Sequence, residues 1–492
     1  MTTHAENSLH TPKTLVMKFG GTSVGSLEAM HQVVKIVRET KQNWPHLVVV
    51  ISALNGVTNL LLDSAKLASQ GDVLTFHQAA QELRSRHYEI IQALVKDQAD
   101  RSRVEQEVNH LIADFVNLCQ AISVLGEATP RALDAVASLG ERMSVRVLAA
   151  GLESSGVPSQ FVEATQLIIT DDYYTSAHPD MELTVRRTRQ VLMPILEQGR
   201  VPVVTGFIGQ TSSGVITTLG RGGSDYSASL LGVSLPADQV WIWTDVNGVM
   251  TADPRLVKDA RTIPELSYRE VAELAYAGAK VLHPKSIRPL IDDGIPLWVC
   301  NTFNPSYPGT RLVSDELESK SGVIKAVTAI QNMKMINMEG RGMLGVPGVA
   351  GRAFSAVAST GTSVTLITQA ASEQSICFSV PSDKADRVIK TLKSTFEKEI
   401  SKKDIDKIWA SQDVAIITLV GGGMRNTHGV SGRVFSAAGS HGINIIAIAQ
   451  GSSEVSISMV VDAKDLKPAM LALHELIVET LPEQTEPPTP RL

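Results

Sequence analysis

The sequence predicts an α/β protein: a three-layer domain with a mostly parallel sheet over residues 14–321, then two small α+β modules over 322–410 and 411–480. Three observations predict it. Short apolar runs rich in Val, Ile and Trp alternate with longer amphipathic stretches through the first 300 residues, the pattern of strands joined by crossover helices. A stretch rich in Pro, Ser, Gly and charge, Asn301 to Gly322, then interrupts that alternation. Beyond it the chain repeats itself at a spacing of 81 residues, Phe354 matching Phe435.

Taken in order, Thr14–Phe19, Leu47–Ser52, Gln160–Val162, Val201–Gly206, Val215–Leu219, Val240–Thr244 and Pro296–Asn301 read as strands, most of them bounded by Gly, Pro or Asp. Leu27–Thr40, Ser227–Gly232 and Tyr268–Gly278 read as helices between them. The long polar stretch Leu60–Ala149 reads as helices packed outside the sheet, some forming a lid. In the repeat, FSAVASTGTSVTLITQAASEQSICFSV and FSAAGSHGINIIAIAQGSSEVSISMVV align without a gap, and each copy reads as strand, glycine turn, helix, strand, turn, strand. One such unit has little core of its own, so two copies are expected to pack side by side or across a dimer.

Composition excludes several classes. A chain of 492 residues implies two to four domains, and 43% apolar with 20% charged residues is ordinary for a globular protein. The net charge of −6 leaves no footprint for nucleic acid or an anionic membrane. No run of about 18 apolar residues suggests a membrane span, and residues 1–13 lack a secretory signal. Those residues and the Pro- and Glu-rich 481–492 are expected to be disordered. Cys119, Cys300 and Cys377 are far apart and odd in number, which fits core thiols in a reducing, cytoplasmic setting.

Four motifs carry the candidate chemistry. KFGGTS places Lys18 at a strand end before Gly20–Gly21, a turn whose amides and following helix suit a phosphate. It lacks the Walker A spacing, and alone it also fits an ordinary glycine turn. GRGGSD repeats the strand–glycine–helix pattern; Asp225 there also fits a plain helix cap, whereas Arg221 suits a carboxylate. WTDVNGVMTADPR ends a buried strand in Thr244–Asp245, at the edge where parallel sheets present ligand groups. It also fits a turn, or weakly a calcium loop, although no Glu closes the twelve-residue spacing. GAKVLHP offers Lys280 as a second phosphate contact, with His283 read as structural. SLGERMS offers Glu141 and Arg142 at what reads as a helix start, alone a solvated surface pair.

KFGGTSVGS, SALNGVTN, LGERMS, GFIG, LGRGGSDYSA, WTDVNGVMTADPR and GAKVLHP, in this order, resemble the aspartokinases of the amino-acid kinase superfamily. The two repeats look like their paired, ferredoxin-like ACT modules. ITQAASEQSI and IAQGSSEVSI are most similar to the kinase half of bifunctional aspartokinase–homoserine dehydrogenases. The resemblance spans roughly Leu15 to Asp462. It implies a three-layer kinase domain that phosphorylates the side-chain carboxylate of L-aspartate with ATP and Mg²⁺. It implies that Lys18 neutralises the transferring phosphoryl group. Ser52, Thr58, Glu141, Phe207, Arg221, Ser224 and Asp225 would form the aspartate site, Glu141 meeting the amino group and Arg221 the α-carboxylate. Gly20, Gly21, Thr244, Asp245, Met250, Arg255 and Lys280, with Lys18, would hold the nucleotide; Lys18, Asp225 and Lys280 would be the catalytic set. Met250 departs from the Tyr of many relatives, which puts a stacking or polar contact in doubt.

The residue types suit that reaction. A carboxylate nucleophile is already ionised at pH 7 and needs no general base, so catalysis rests on positioning and charge neutralisation. Mg²⁺ would be held mainly by nucleotide oxygens and water, so no protein ligand is assigned. In the repeats Gln369, Asn444 and Gln450 are candidate contacts for a regulatory amino acid, threonine or lysine, and the modules are expected to join a homodimer or larger homo-oligomer. Only about 30 residues follow the second repeat, without a dinucleotide fingerprint, so an appended dehydrogenase is not expected. Two other readings are a kinase acting on glutamate or carbamate, and a catalytically silent amino-acid sensor.

Overall fold

The computed structural model describes residues 12–279, 282–314, 323–341, 347–369, 374–425, 427–451 and 454–478. The expected disordered ends fall outside these residues, apart from Pro12 and Lys13, and so do Lys280 and the last part of the linker.

The chain opens with β1 (Thr14–Phe19), α1 (Leu27–Lys41) and β2 (His46–Ile51), then runs through α2 (Val57–Ala68), α3 (Val73–Leu94), α4 (Gln98–Leu125) and α5 (Pro130–Ser154). There follow β3 (Ser159–Val162), β4 (Ile169–Thr170), α6 (Met181–Glu197), β5 (Val201–Thr205), β6 (Ile208–Thr211), β7 (Ile216–Thr218), α7 (Gly223–Ser234) and β8 (Gln239–Thr244). The first domain ends with β9 (Glu265–Ser267), α8 (Tyr268–Tyr276), α9 (Pro284–Asp292), β10 (Leu297–Asn301) and β11 (Thr310–Val313). Helix starts follow local chemistry. Ser26 Oγ accepts from Ala29 N ahead of α1, Thr129 caps α5 with Pro130 as its first residue, and Ser267 with Glu270 forms a reciprocal capping box on α8.

The main sheet has the order β3-β5-β2-β1-β8-β10-β11-β9. Its pairs are parallel except β10 with β11, a mixed edge that the sequence did not announce. The strand expected at Val215–Leu219 is β7, which lies in a separate three-stranded sheet with β4 and β6. Strand alternation builds the layers. Leu15, Met17 and Phe19 of β1 face a core shared with α1 to α5, where Phe19 stacks on Trp243 at 5.7 Å. Val16 faces the opposite core, with Leu192 of α6, Leu231 of α7 and Leu290 of α9. Lys18 has the parity of Val16, so it emerges on the α7 side.

The stretch Leu60–Ala149 forms a packed layer instead of a lid: α2 to α5 supply much of one core. By length and composition α4 matches a membrane span. Its buried residues, among them Val104, Val108, Leu111, Phe115 and Cys119, instead recur at helical spacing and pack into this core.

The second part contains β12 (Ala326–Glu339), α10 (Val349–Ser359), β13 (Ile367–Gln369), β14 (Ser375–Pro381), α11 (Ala385–Thr395), α12 (Glu397–Ser401), β15 (Lys407–Val420), α13 (Val430–Ser440), β16 (Ile445–Gln450), β17 (Ser456–Asp462) and α14 (Leu466–Val478). The 81-residue spacing maps β12 onto β15, α10 onto α13, β14 onto β17 and the start of α11 onto that of α14. One antiparallel sheet, β13-β14-β12-β15-β17-β16, holds both copies side by side. A division at 410/411 does not follow the packing. β15 crosses it, and Val327 from the start of β12 joins the core of the second copy, while Ile408 from the start of β15 joins that of the first. The physical reason is that the two 14-residue strands pair along most of their length, so each contributes half to either module.

This sheet docks on the first domain through a buried ion pair. Lys325 Nζ lies 2.8 Å from Glu270 Oε2, both side chains about 1% exposed. Glu270 also accepts from Ser267 N and Gly422 N, each at 2.7 Å. Thr251 Oγ1 and His474 Nε2 add a second buried link at 2.8 Å.

Candidate functional site

The C-terminal ends of β1, β2, β5 and β8 lie together at one edge of the sheet, the place where open parallel sheets bind ligands. A cleft of about 390 Å³ opens there. It is lined by Lys18 from β1, Ser52 and the turn after β2, Glu141 from α5, Phe207 after β5, and the loop Gly220–Asp225 that opens α7. Thr58 and Gly21 also line it. Lys18 and Arg221 therefore share one cavity.

Two helix N-termini point at this space. α7 begins after Gly222 and α2 after Gly56, both with positive φ (70° and 79°), a conformation glycine adopts without a Cβ penalty. A Cβ on Gly222 would also lie 2.5 Å from Ser286 Oγ, so a side chain here would have to push aside the hydroxyl that donates to Gly222 O. Asp225 is the third residue of α7 and does not cap it. Its Oδ1 lies 2.5 Å from Lys18 Nζ, the side chains only 15% and 11% exposed. That pair orients the ammonium at the strand end, with the positive end of the α7 dipole beside it.

Glu141 differs most from its sequence reading. It lies in the middle of α5, not at a helix start, and is 3% exposed, not a surface residue. Its Oε2 has no hydrogen-bond partner among the described residues, and burial pushes its carboxyl up to about 8. A buried carboxyl with an open acceptor at a cleft is suited to a cationic ligand group. Arg142 points elsewhere. It pairs with Glu163 at 3.0 Å, which also takes Arg146 at 2.7 Å, and the two guanidinium groups hold the Glu163 carboxyl below its usual range against the effect of its burial.

Phe207 carries φ of 69°, uncommon for a bulky residue and a mark of functional strain. Ser227 Oγ accepts from its amide at 3.0 Å, and its carbonyl accepts from Leu219 N at 2.9 Å, which fixes the turn against α7. Arg221, in the loop between β7 and α7, is exposed at the mouth of the cleft.

The nucleotide candidates are more scattered. Gly20 N donates to Trp243 O at 3.2 Å, so the Gly20–Gly21 turn lies against the end of β8. Thr244 and Asp245 continue from there, bonded to each other at 3.1 Å. Met250 pairs with Thr262, whose hydroxyl donates to its sulfur at 3.5 Å. Arg255 is exposed and folds back on Asp253 at 2.5 Å. None of these four lines the 390 Å³ cleft, and Lys280 lies outside the described residues. His283 caps α9, its Nδ1 accepting from Lys285 N at 3.3 Å. Among the described residues no three His, Cys, Asp or Glu side chains are placed to hold a metal ion.

Asn55 and Asn59 also line the cleft and were not singled out from the sequence. Both belong to SALNGVTN, and Asn59 falls in the first turn of α2. In the second part, Gln450 lines a cleft of about 260 Å³ with Thr427, His428, Gly429 and Ser431, at the N-terminus of α13. Gln369 ends β13 and Asn444 precedes β16, both exposed and neither in that cleft.

The model of the amino acid kinase family matches residues 13–301, and that of an ACT domain matches 336–396 and 417–476. A bifunctional aspartokinase/homoserine dehydrogenase of Haemophilus influenzae is 36% identical over 465 residues, 94% of this chain and 56% of that protein. Aspartokinase 2, chloroplastic, of Arabidopsis thaliana is 34% identical over 478 residues, 95% of this chain and 85% of that protein. The chain spans about half the length of the bifunctional relatives it matches. Among solved structures, E. coli aspartokinase III in complex with aspartate and ADP superposes with a TM-score of 0.77 at 28% identity, covering 95% of this chain and 100% of that one. The same enzyme with lysine and aspartate gives 0.77 at 29%, covering 94% and 99%.

Proposed function

The chain belongs to the amino acid kinase family and carries ACT domains as aspartokinases do, and from that premise we propose that it transfers the γ-phosphoryl group of ATP to the side-chain carboxylate of L-aspartate. The product would be 4-phospho-L-aspartate, at the start of aspartate-family synthesis of lysine, threonine and methionine. The observation that carries this reading is the shared cleft: an open buried carboxyl at Glu141, an exposed cation at Arg221 and the Lys18–Asp225 pair line one space. These are the complements of an ammonium, an α-carboxylate and a phosphoryl-accepting end.

In this mechanism Glu141, once ionised, takes the substrate ammonium, and Arg221 grips the α-carboxylate. The second carboxylate is then left beside Lys18. It attacks the γ-phosphorus, a P–O bond forms as the bond to ADP breaks, and no proton has to move because the nucleophile is ionised. Lys18 and the amides at the start of α7 offset the charge that two approaching anions bring together. Mg²⁺ would accompany the nucleotide, held by its oxygens and water, and supply further neutralisation.

The ACT modules are proposed to bind a regulatory amino acid and to join copies of the chain into a homodimer or larger assembly. The cleft at Gln450 suits an amino acid, since the N-terminus of α13 favours its carboxylate; threonine and lysine are the candidates. A cytoplasmic location is proposed with them. The test is ATP consumption with aspartate, trapping the acyl phosphate as a hydroxamate. Hydroxamate from aspartate and not glutamate supports the reading. Turnover of glutamate alone, or threonine binding without any turnover, would replace it.

A further inference from the structure

α5 does more than carry Glu141. Seven residues earlier, two turns along the same helix and roughly 10 Å away, lies Asp134, a carboxylate 1% exposed. A separation of seven residues leaves both side chains on nearly one face. Asp134 touches no part of the cleft. Its Oδ2 accepts from Thr175 N at 2.9 Å and Thr218 N at 3.1 Å, and its Oδ1 from Thr218 Oγ1 at 2.7 Å.

Those donors lie at the root of the arginine loop. Thr218 ends β7, and Arg221 follows three residues later. Thr175 sits in the left-handed region with φ of 68°, costly for a β-branched residue unless its surroundings hold it. The Thr175 turn in turn braces the loop. Ala177 N donates to Thr218 O at 2.9 Å, and a Cβ on Gly220 would lie 3.1 Å from both Thr175 O and Ser176 Oγ. One buried carboxylate thus ties these two mutually braced turns to the helix that bears Glu141.

We propose that Asp134 is a positioning residue that fixes the distance between Arg221 and Glu141, making α5 the ruler that matches the cleft to the α-amino and α-carboxylate groups of one amino acid. This rests on the reading of Glu141 and Arg221 given above. Its physical basis is that a guanidinium–carboxylate pair depends on geometry, so a loop released by about an ångström loses the substrate's carboxylate while leaving the phosphoryl end in place.

The test is a double-mutant cycle in the full chain, read as KM for the amino acid, KM for ATP and kcat. Asp134→Asn should raise the KM for the amino acid about tenfold, with kcat and the KM for ATP within about twofold of wild type. In an Arg221→Ala background the same substitution should add less than about twofold, because the group it positions is gone. Thr218→Val, which removes only the hydroxyl donor, should shift the same KM in the same direction by less, and it carries the cycle if Asp134→Asn does not fold. An undiminished effect in the Arg221→Ala background, or a fall in kcat equal to the rise in KM, overturns the proposal. The cycle is read on whichever amino acid the wild type phosphorylates. Failure with aspartate therefore rejects the proposed substrate, whereas additivity rejects the role of Asp134.

Discussion

Capture of aspartate should depend on pH through Glu141. Its carboxyl sits at about 8 because burial disfavours the charged form. Only the ionised form offers a charge to the substrate ammonium, so about a tenth of the sites are ready at pH 7 and about nine tenths at pH 9. kcat/KM for aspartate should therefore rise about tenfold between pH 7 and 9, with unit slope below pH 8. The same shift has a cost in stability. The native state keeps a proton that the unfolded chain releases above its ordinary value of 4.5. Unfolding free energy therefore falls as pH rises from about 4.5 to 8 and levels off above. Glu141→Gln removes that titration. Its stability relative to wild type should improve by on the order of 3 kcal/mol between pH 5 and pH 8, while its capture of aspartate becomes weak and flat with pH. Hydroxamate initial rates at saturating ATP give the first quantity and urea denaturation the second. A pH rise that persists in Glu141→Gln, or a stability gap that does not change with pH, would refute the reasoning.

Lys18→Ala should lower kcat by roughly 10² if such a donor contributes about 3 kcal/mol to the transition state; single-turnover rates with saturating ATP check it, and near-normal turnover removes Lys18 from the chemistry. Lys325→Met leaves the Glu270 carboxylate buried without its cation. It should destabilise the chain by about 3–5 kcal/mol in urea denaturation, and a loss below about 1 kcal/mol would show that the pair is solvated. Gln450→Ala should weaken inhibition by the effector about tenfold with basal kcat unchanged; identical threonine and lysine titrations in both proteins would remove the 260 Å³ cleft from regulation.

Much of this architecture could be read from sequence because local and global signals agree. β1, β8 and β10 are mostly apolar, with Trp and Val frequent in β8 and β10, and Gly20, Asp245 and Asn301 mark their ends, and α7 follows a glycine turn. The 81-residue repeat carried the second sheet. What escaped depended on long-range pairing. The antiparallel β10–β11 edge is set by a loop of irregular residues, and the interleaving of the modules by two 14-residue strands that meet only in the folded chain. Glu141 misled for a related reason. Within SLGERMS an adjacent Glu and Arg resemble a surface pair, and only the packing of α5 against the turn after β2 buries the acid while the base turns to Glu163. Asn55 and Asn59 were legible as part of SALNGVTN, but no local rule says which polar residues of a helix start face a cleft.

The account stands most directly on where aspartate sits. A crystal structure of the chain with L-aspartate and ADP should place the ammonium at Glu141, the α-carboxylate at Arg221 and the side-chain carboxylate beside the Lys18–Asp225 pair. Aspartate bound with its side chain at Arg221, or outside the cleft between β1 and α7, would contradict it.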